Sequence, residues 1–95
     1  MFVEWSRSAD ADLIEILAYF VSIDDMETGQ RIVDRLFTAT ERLESFPLSG
    51  KAGRVLETRE LILAELPYVL IYRIKGAVVQ IVNVIHTSRQ YPLQV

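Results

Sequence analysis

His86 is the only histidine in the chain, and it closes a strongly apolar run at the start of the segment HTSRQYP, where Arg89 and Tyr91 follow. An unperturbed imidazole titrates near pH ~6.5, so this side chain can give and take protons under physiological conditions. A guanidinium stays charged and offers a planar fork that suits phosphate, and a phenol can stack on a base or share a proton. The same three residues also suit a tail packed against a sheet, with Pro92 ending any further strand.

Four other cations are candidates by position. Lys51 and Arg54 rim the segment PLSGKAGR, whose proline and two glycines mark a loop. Arg59 opens the run RELILAEL. Arg73 lies inside the apolar run YVLIYRI, where a charge is costly unless it is paired or exposed on a functional face. For Lys51 and Arg54 ordinary surface charge is the competing account, and for Arg59 a solvated strand-edge cation.

Other chemistries are excluded by composition. With no cysteine and a single histidine, the chain has no disulfide, no thiolate metal site and no histidine-rich metal cluster, and no cofactor is expected. The start MFVEWSRSAD lacks the basic and apolar blocks of a signal peptide, and no run approaches the ~20 apolar residues that span a bilayer. A cytoplasmic protein without membrane association is expected.

The net charge is −3, but it is unevenly placed. Up to Pro47 ten acids face Arg7, Arg31, Arg35 and Arg42; beyond it six cations face only Glu57, Glu60 and Glu65. The second half can therefore carry a basic patch, although its reach at physiological salt is only ~8 Å.

The elements that must position these residues follow from periodicity. At 95 residues the chain is expected to form one domain spanning positions 1–95. FVEW at 2–5 is rich in β-formers and predicts a strand. Ser8 offers a helix N-cap, with Asp10 and Asp12 in the first turn, and Ala9, Leu13, Ile16, Leu17 and Phe20 share one helical face. The predicted helix runs from Ser8 to Val21. A second helix from about Glu27 carries Ile32, Val33, Leu36, Phe37, Thr40 and Leu43 at the same period, until Pro47 stops it.

After the loop the period becomes two. RELILAEL, YVLIYRI and VVQIVNVIH read as three strands joined by links too short for a parallel return, so they pair antiparallel. In the last run, alternation groups Val79, Ile81, Asn83 and Ile85 on one face, with Val82, Val84 and His86 on the other. The class is α+β, in the order β-α-α-β-β-β. Core packing is the expected role for most of Trp5, Tyr19, Tyr68 and Tyr72.

The ordered set ADADLIEILAYF, LESFPLSGKAGRV, TRELILAELPYVLIYRI and VVQIVNVIHTSRQYP resembles the RelE/ParE superfamily of toxins from type II toxin-antitoxin modules. The likeness covers nearly the whole chain. It implies a helical hairpin packed on one face of a curved antiparallel sheet, and a cognate antitoxin that wraps the toxin in a hetero-oligomer.

It also implies one of two activities. RelE-like members cut messenger RNA in the ribosomal A site; ParE-like members poison DNA gyrase without nuclease activity. The leading expectation is ribosome-dependent cleavage of messenger RNA as a metal-independent endoribonuclease, with gyrase inhibition by binding as the alternative. In the nuclease case Arg59 and Arg89 would stabilise phosphate charge, His86 or Tyr91 would move protons, and Lys51, Arg54 and Arg73 would hold RNA. The acidic pI of about 5.0 departs from the basic character of ribosome-docking relatives. Histidine at this strand end occurs in both branches.

Overall fold

The computed structural model describes residues 1–89 and Tyr91. It contains strand β1 (Phe2–Trp5), helices α1 (Arg7–Ser22) and α2 (Met26–Ser45), and strands β2 (Lys51–Ala52), β3 (Arg59–Ile62), β4 (Tyr68–Lys75) and β5 (Val78–His86). The five strands form one sheet in the order β1-β5-β4-β3-β2.

The α+β class and the β-α-α-β-β-β order hold, with two refinements. The sheet is mixed, because β1 runs parallel to β5, with Phe2 opposite Val78 and Trp5 opposite Ile81. The two helices carry the chain from β1 to β2 at the opposite edge of the sheet, and β2, β3 and β4 then lead back to β5 beside β1. Lys51 and Ala52, inside the predicted loop, form a short edge strand against Glu60 and Arg59.

Helix α1 begins one residue earlier than predicted, and its cap lies two residues earlier. Its N-cap is Ser6, not Ser8: the Ser6 hydroxyl accepts from the Ala9 backbone N–H at 3.0 Å and donates to the Val82 carbonyl at 2.7 Å. A serine whose hydroxyl satisfies both the helix end and a strand outcompetes one that could serve only the helix. The hairpin turn passes through Asp24, at φ 56°, to Asp25, which caps α2 by accepting from Thr28 N–H. Gly29 lets the helices close together, since a Cβ there would meet Phe20 Cβ at 2.9 Å.

The core lies between the helices and the sheet. Ala9, Leu13 and Ile16 of α1 and Ile32, Val33, Leu36 and Leu43 of α2 pack over Leu70, Tyr72, Val79, Ile81 and Val84. Leu36, Leu43, Leu70 and Ile81 are fully buried, each side chain stabilising the fold by roughly 1.5–3 kcal/mol relative to exposure. Tyr68 and Tyr72 are core residues as expected, whereas Tyr19 is 58% exposed.

The face assignment on β5 is corrected by a β-bulge. Tyr72 pairs with Ile81 and Ile71 with Asn83, so Val82 has no partner on β4. One extra residue reverses the alternation beyond it. Val79 and Ile81 therefore share the helix-facing side with Val84, not with Asn83 and Ile85. Two side chains from the α1 side secure the bulge: Ser6 bonds Val82, and the Asp12 carboxylate accepts from Val84 N–H at 2.8 Å and from Asn83 Nδ2 at 3.0 Å. The next hairpin turns at Gly76, whose φ of 58° suits a residue without a Cβ.

Candidate functional site

Consecutive residues of a strand point to opposite faces, and β3 separates the candidate cations this way. Arg59 lies opposite Tyr72 and faces the helix side. Its Nη1 donates to the Gly50 carbonyl at 2.8 Å and to the Leu48 carbonyl at 3.4 Å, bracing the loop that follows α2. The Tyr72 hydroxyl braces the same loop, donating to Pro47 O at 2.7 Å and accepting from Gly50 N–H at 2.9 Å.

Glu60 points to the other face, and its charge count alone gives no sign of a site role. Its side chain is fully buried, and it accepts from the Arg54 backbone N–H at 2.8 Å, from Arg54 Nε at 3.1 Å and from Arg54 Nη2 at 2.9 Å. These bonds hold the Glu60 carboxyl below the usual carboxylate range and raise the affinity of the Arg54 guanidinium for its proton. Arg54 Nη1 donates to the Tyr91 carbonyl at 3.1 Å, and the guanidinium sits 5.1 Å from the centre of the Tyr91 ring. Partial burial pushes the Tyr91 phenol pKa up, and the nearby Glu60 charge adds to that.

Four candidate residues come together here. Arg54, His86, Arg89 and Tyr91 border one hollow of about 220 Å³ with Ile62, Val69, Ile85 and Thr87. The other three lie elsewhere. Arg59 is on the helix side; by strand spacing its Cα stands on the order of 15 Å from that of His86, two strands and four residues away. Lys51 is exposed on edge strand β2, in register with Glu60. Arg73 donates through Nε to Gln80 Oε1 at 2.7 Å, and Gln80 passes a 3.1 Å bond to Glu4, a polar row across β4, β5 and β1.

His86 stands at the end of β5 between two spaces. Its ring meets Tyr68 edge-on at 5.2 Å and an interplanar angle of 86°. Its Nδ1 accepts from Ser88 N–H at 3.1 Å, which leaves Nε2 as the protonated nitrogen of the neutral ring. On the helix side it lines a cleft of about 450 Å³ with Asp12, Glu15, Tyr19, Tyr68 and Arg89. Burial, with Tyr19 adding to it, pushes the Tyr68 phenol up as well. Among the described residues no group of histidines and acids could hold a metal ion, and no helix is long and apolar enough to cross a membrane.

Comparison with known proteins agrees with this architecture. The family model described as the ParE toxin of the type II toxin-antitoxin system parDE matches residues 3–91. A Sinorhizobium fredii protein described as "Putative toxin Y4kP" is 41% identical over 90 residues, covering 95% of this chain and 92% of that one. A solved structure titled "Chromosomal ParDE TA system from P. aeruginosa" superposes with a TM-score of 0.81 at 26% identity, over 90% of this chain and 95% of the other. The chain thus belongs to the ParE toxin family of type II toxin-antitoxin systems, within the RelE/ParE superfamily that its sequence resembles.

Proposed function

We propose that this toxin arrests growth by binding DNA gyrase rather than by cutting messenger RNA, and that a cognate antitoxin neutralises it. The observation that carries this reading is the separation of Arg59 from Arg54 and Tyr91 by the thickness of the sheet. A single scissile phosphate cannot be shared between them. Metal-free cleavage needs a cation on the phosphate and proton-transfer groups around the same atoms, within hydrogen-bond reach. Arg59 instead donates to two backbone carbonyls, and Arg54 is neutralised by a buried carboxylate that would repel phosphate. A surface that acts by binding makes no such demand. Membership of the ParE family and the acidic pI favour the same side.

The hollow bordered by Arg54, His86, Arg89 and Tyr91 supports the second reading, ribosome-dependent cleavage, in which Arg89 holds phosphate and His86 or Tyr91 moves the proton. In that reading Lys51 and Arg73, on the same open face as Glu60, hold RNA backbone. One experiment separates the two. The chain is induced alone in the bacterial cytoplasm, and message integrity and DNA damage are followed in the same culture. Intact messages with a DNA-damage response, and inhibition of purified gyrase, are expected; codon-positioned cuts in translated messages would reject gyrase in favour of RNA. Co-expression with the antitoxin should relieve the arrest.

A further inference from the structure

Helix α1 sets Asp12, Glu15, Ile16 and Tyr19 along one side at helical spacing. The bulge in β5 brings Val84 to the helix side, and His86 follows at the same parity, with Tyr68 of β4 in register beside it. Between these elements lies the cleft of about 450 Å³ that His86 lines, a size within the range of small-molecule pockets.

Tyr68 is the residue that marks this cleft as a site. It is only 8% exposed, and among the described residues its hydroxyl has no hydrogen-bond partner. No fully buried side-chain polar atom of the described residues lacks a partner. The phenol oxygen is therefore the part of Tyr68 that still reaches open space, and that space is the cleft. A hydroxyl so placed is ready to accept from a ligand, since polar groups in enclosed surroundings normally find a partner.

The walls select the ligand's charge. Asp12 accepts from Val84 N–H and Asn83 Nδ2, neutral donors that leave its charge uncancelled. Glu15 is exposed and enters no ion pair among the described residues. Against these acids stands Arg89, which pairs with neither, so with the histidine neutral the cleft is negative. Its base is apolar, formed by Ile16, Phe20 and Val84, and Tyr19 meets Phe20 edge-to-face at 5.1 Å. Aromatic faces attract cations. We infer that this cleft binds a small organic cation, its amidinium, guanidinium or ammonium group held by the Glu15 carboxylate and the Tyr68 oxygen while a flat apolar body covers Ile16 and Phe20. The site needs neither Arg54 nor Tyr91, so it stands whichever target the toxin has.

Titration of the purified full chain with benzamidine, followed by amide chemical shifts, tests this. Saturation is expected with a Kd of about 1 mM or tighter, and the shifts should cluster at residues 12–19 and 84–88. Guanidinium ion alone, which lacks the apolar body, should bind at least about tenfold more weakly, and benzoate, the same ring with the opposite charge, should not saturate. Glu15→Gln and Tyr68→Phe should each weaken benzamidine about tenfold, the worth of a hydrogen bond to a charged group. Because the hydroxyl has no partner in the fold, Tyr68→Phe should also melt within about 2 °C of the parent. No saturation by benzamidine up to about 10 mM would overturn the inference. So would benzoate binding as well as benzamidine, guanidinium ion binding as well as benzamidine, or benzamidine affinity indifferent to both substitutions.

Discussion

The Glu60 carboxylate and the Arg54 guanidinium form an asymmetric ion pair: the acid is fully buried, while the arginine side chain is 52% exposed. Arg54 covers the acid from its backbone N–H, its Nε and its Nη2, and on its outer side holds the carbonyl and ring of Tyr91. The pair thus ties β3 to the segment after β5. It places Tyr91 by structural necessity, whatever the toxin's target.

This asymmetry predicts unequal costs. Glu60→Gln keeps the shape of the buried group, and the released Arg54 can turn to water, so the loss should be on the order of 1–3 kcal/mol. Arg54→Ala should cost more, because it leaves an ionised carboxylate buried without its partner. Urea titration followed by circular dichroism compares the two. An Arg54→Ala variant more stable than Glu60→Gln would contradict the assignment of Glu60 as the buried member.

The same pair sets an acid limit. Hydrogen bonds from Arg54 lower the Glu60 pKa below its ordinary value of 4.5, opposed by burial. A group whose native pKa is depressed contributes stability that is complete above its unfolded pKa and is lost as pH falls through the native one. Melting temperature should therefore fall from about pH 4.5 downward, where the unfolded chain takes up the proton first. Glu60→Gln should flatten that part of the profile. An unchanged slope in the variant would assign the acid sensitivity to other carboxylates.

Tyr72 offers a test of the loop that Arg59 braces. Its fully buried hydroxyl bonds both Pro47 O and Gly50 N–H. Tyr72→Phe strips a partner from two backbone groups at once and should destabilise by ~1–3 kcal/mol. Because Arg59 bonds the same loop at Gly50 O, hydrogen exchange should quicken around residues 48–50 rather than in the helices. Uniform quickening throughout the chain would indicate global destabilisation alone.

How much of this was legible in the sequence depended on distance along the chain. The inner faces of both helices and the apolar span of β4 were readable, because i, i+3 and i+4 spacing and strand periodicity are local properties. The bulge at Val82 was not, since nothing within VVQIVNVIH marks one residue as extra; its partners Ser6 and Asp12 lie 76 and 72 positions away from the backbone atoms they bond. By charge Glu60 is one of three acids in a basic half, yet its alternation with Arg59 and Leu61 already places it on the face opposite Arg59. The grouping of Arg54 with Tyr91 spans 37 residues and emerges only once β3, β4 and β5 are in register.

The two serines before α1 make the last prediction, and they separate local capping from long-range fit. Ser8 has good capping chemistry but lies inside the first turn, exposed. Ser6 accepts from Ala9 N–H while donating to the carbonyl of the bulge residue Val82, and its own N–H bonds Ile81 O at 2.9 Å. Ser6→Ala should cost about 1–2 kcal/mol from the lost cap, and more if the Val82 carbonyl is left dry. Ser8→Ala should lie within about 0.5 kcal/mol of the parent, as surface substitutions usually do. Thermal melts of the two single variants decide it: equal losses would mean that the helix start, not its bond to the bulge, sets the cost.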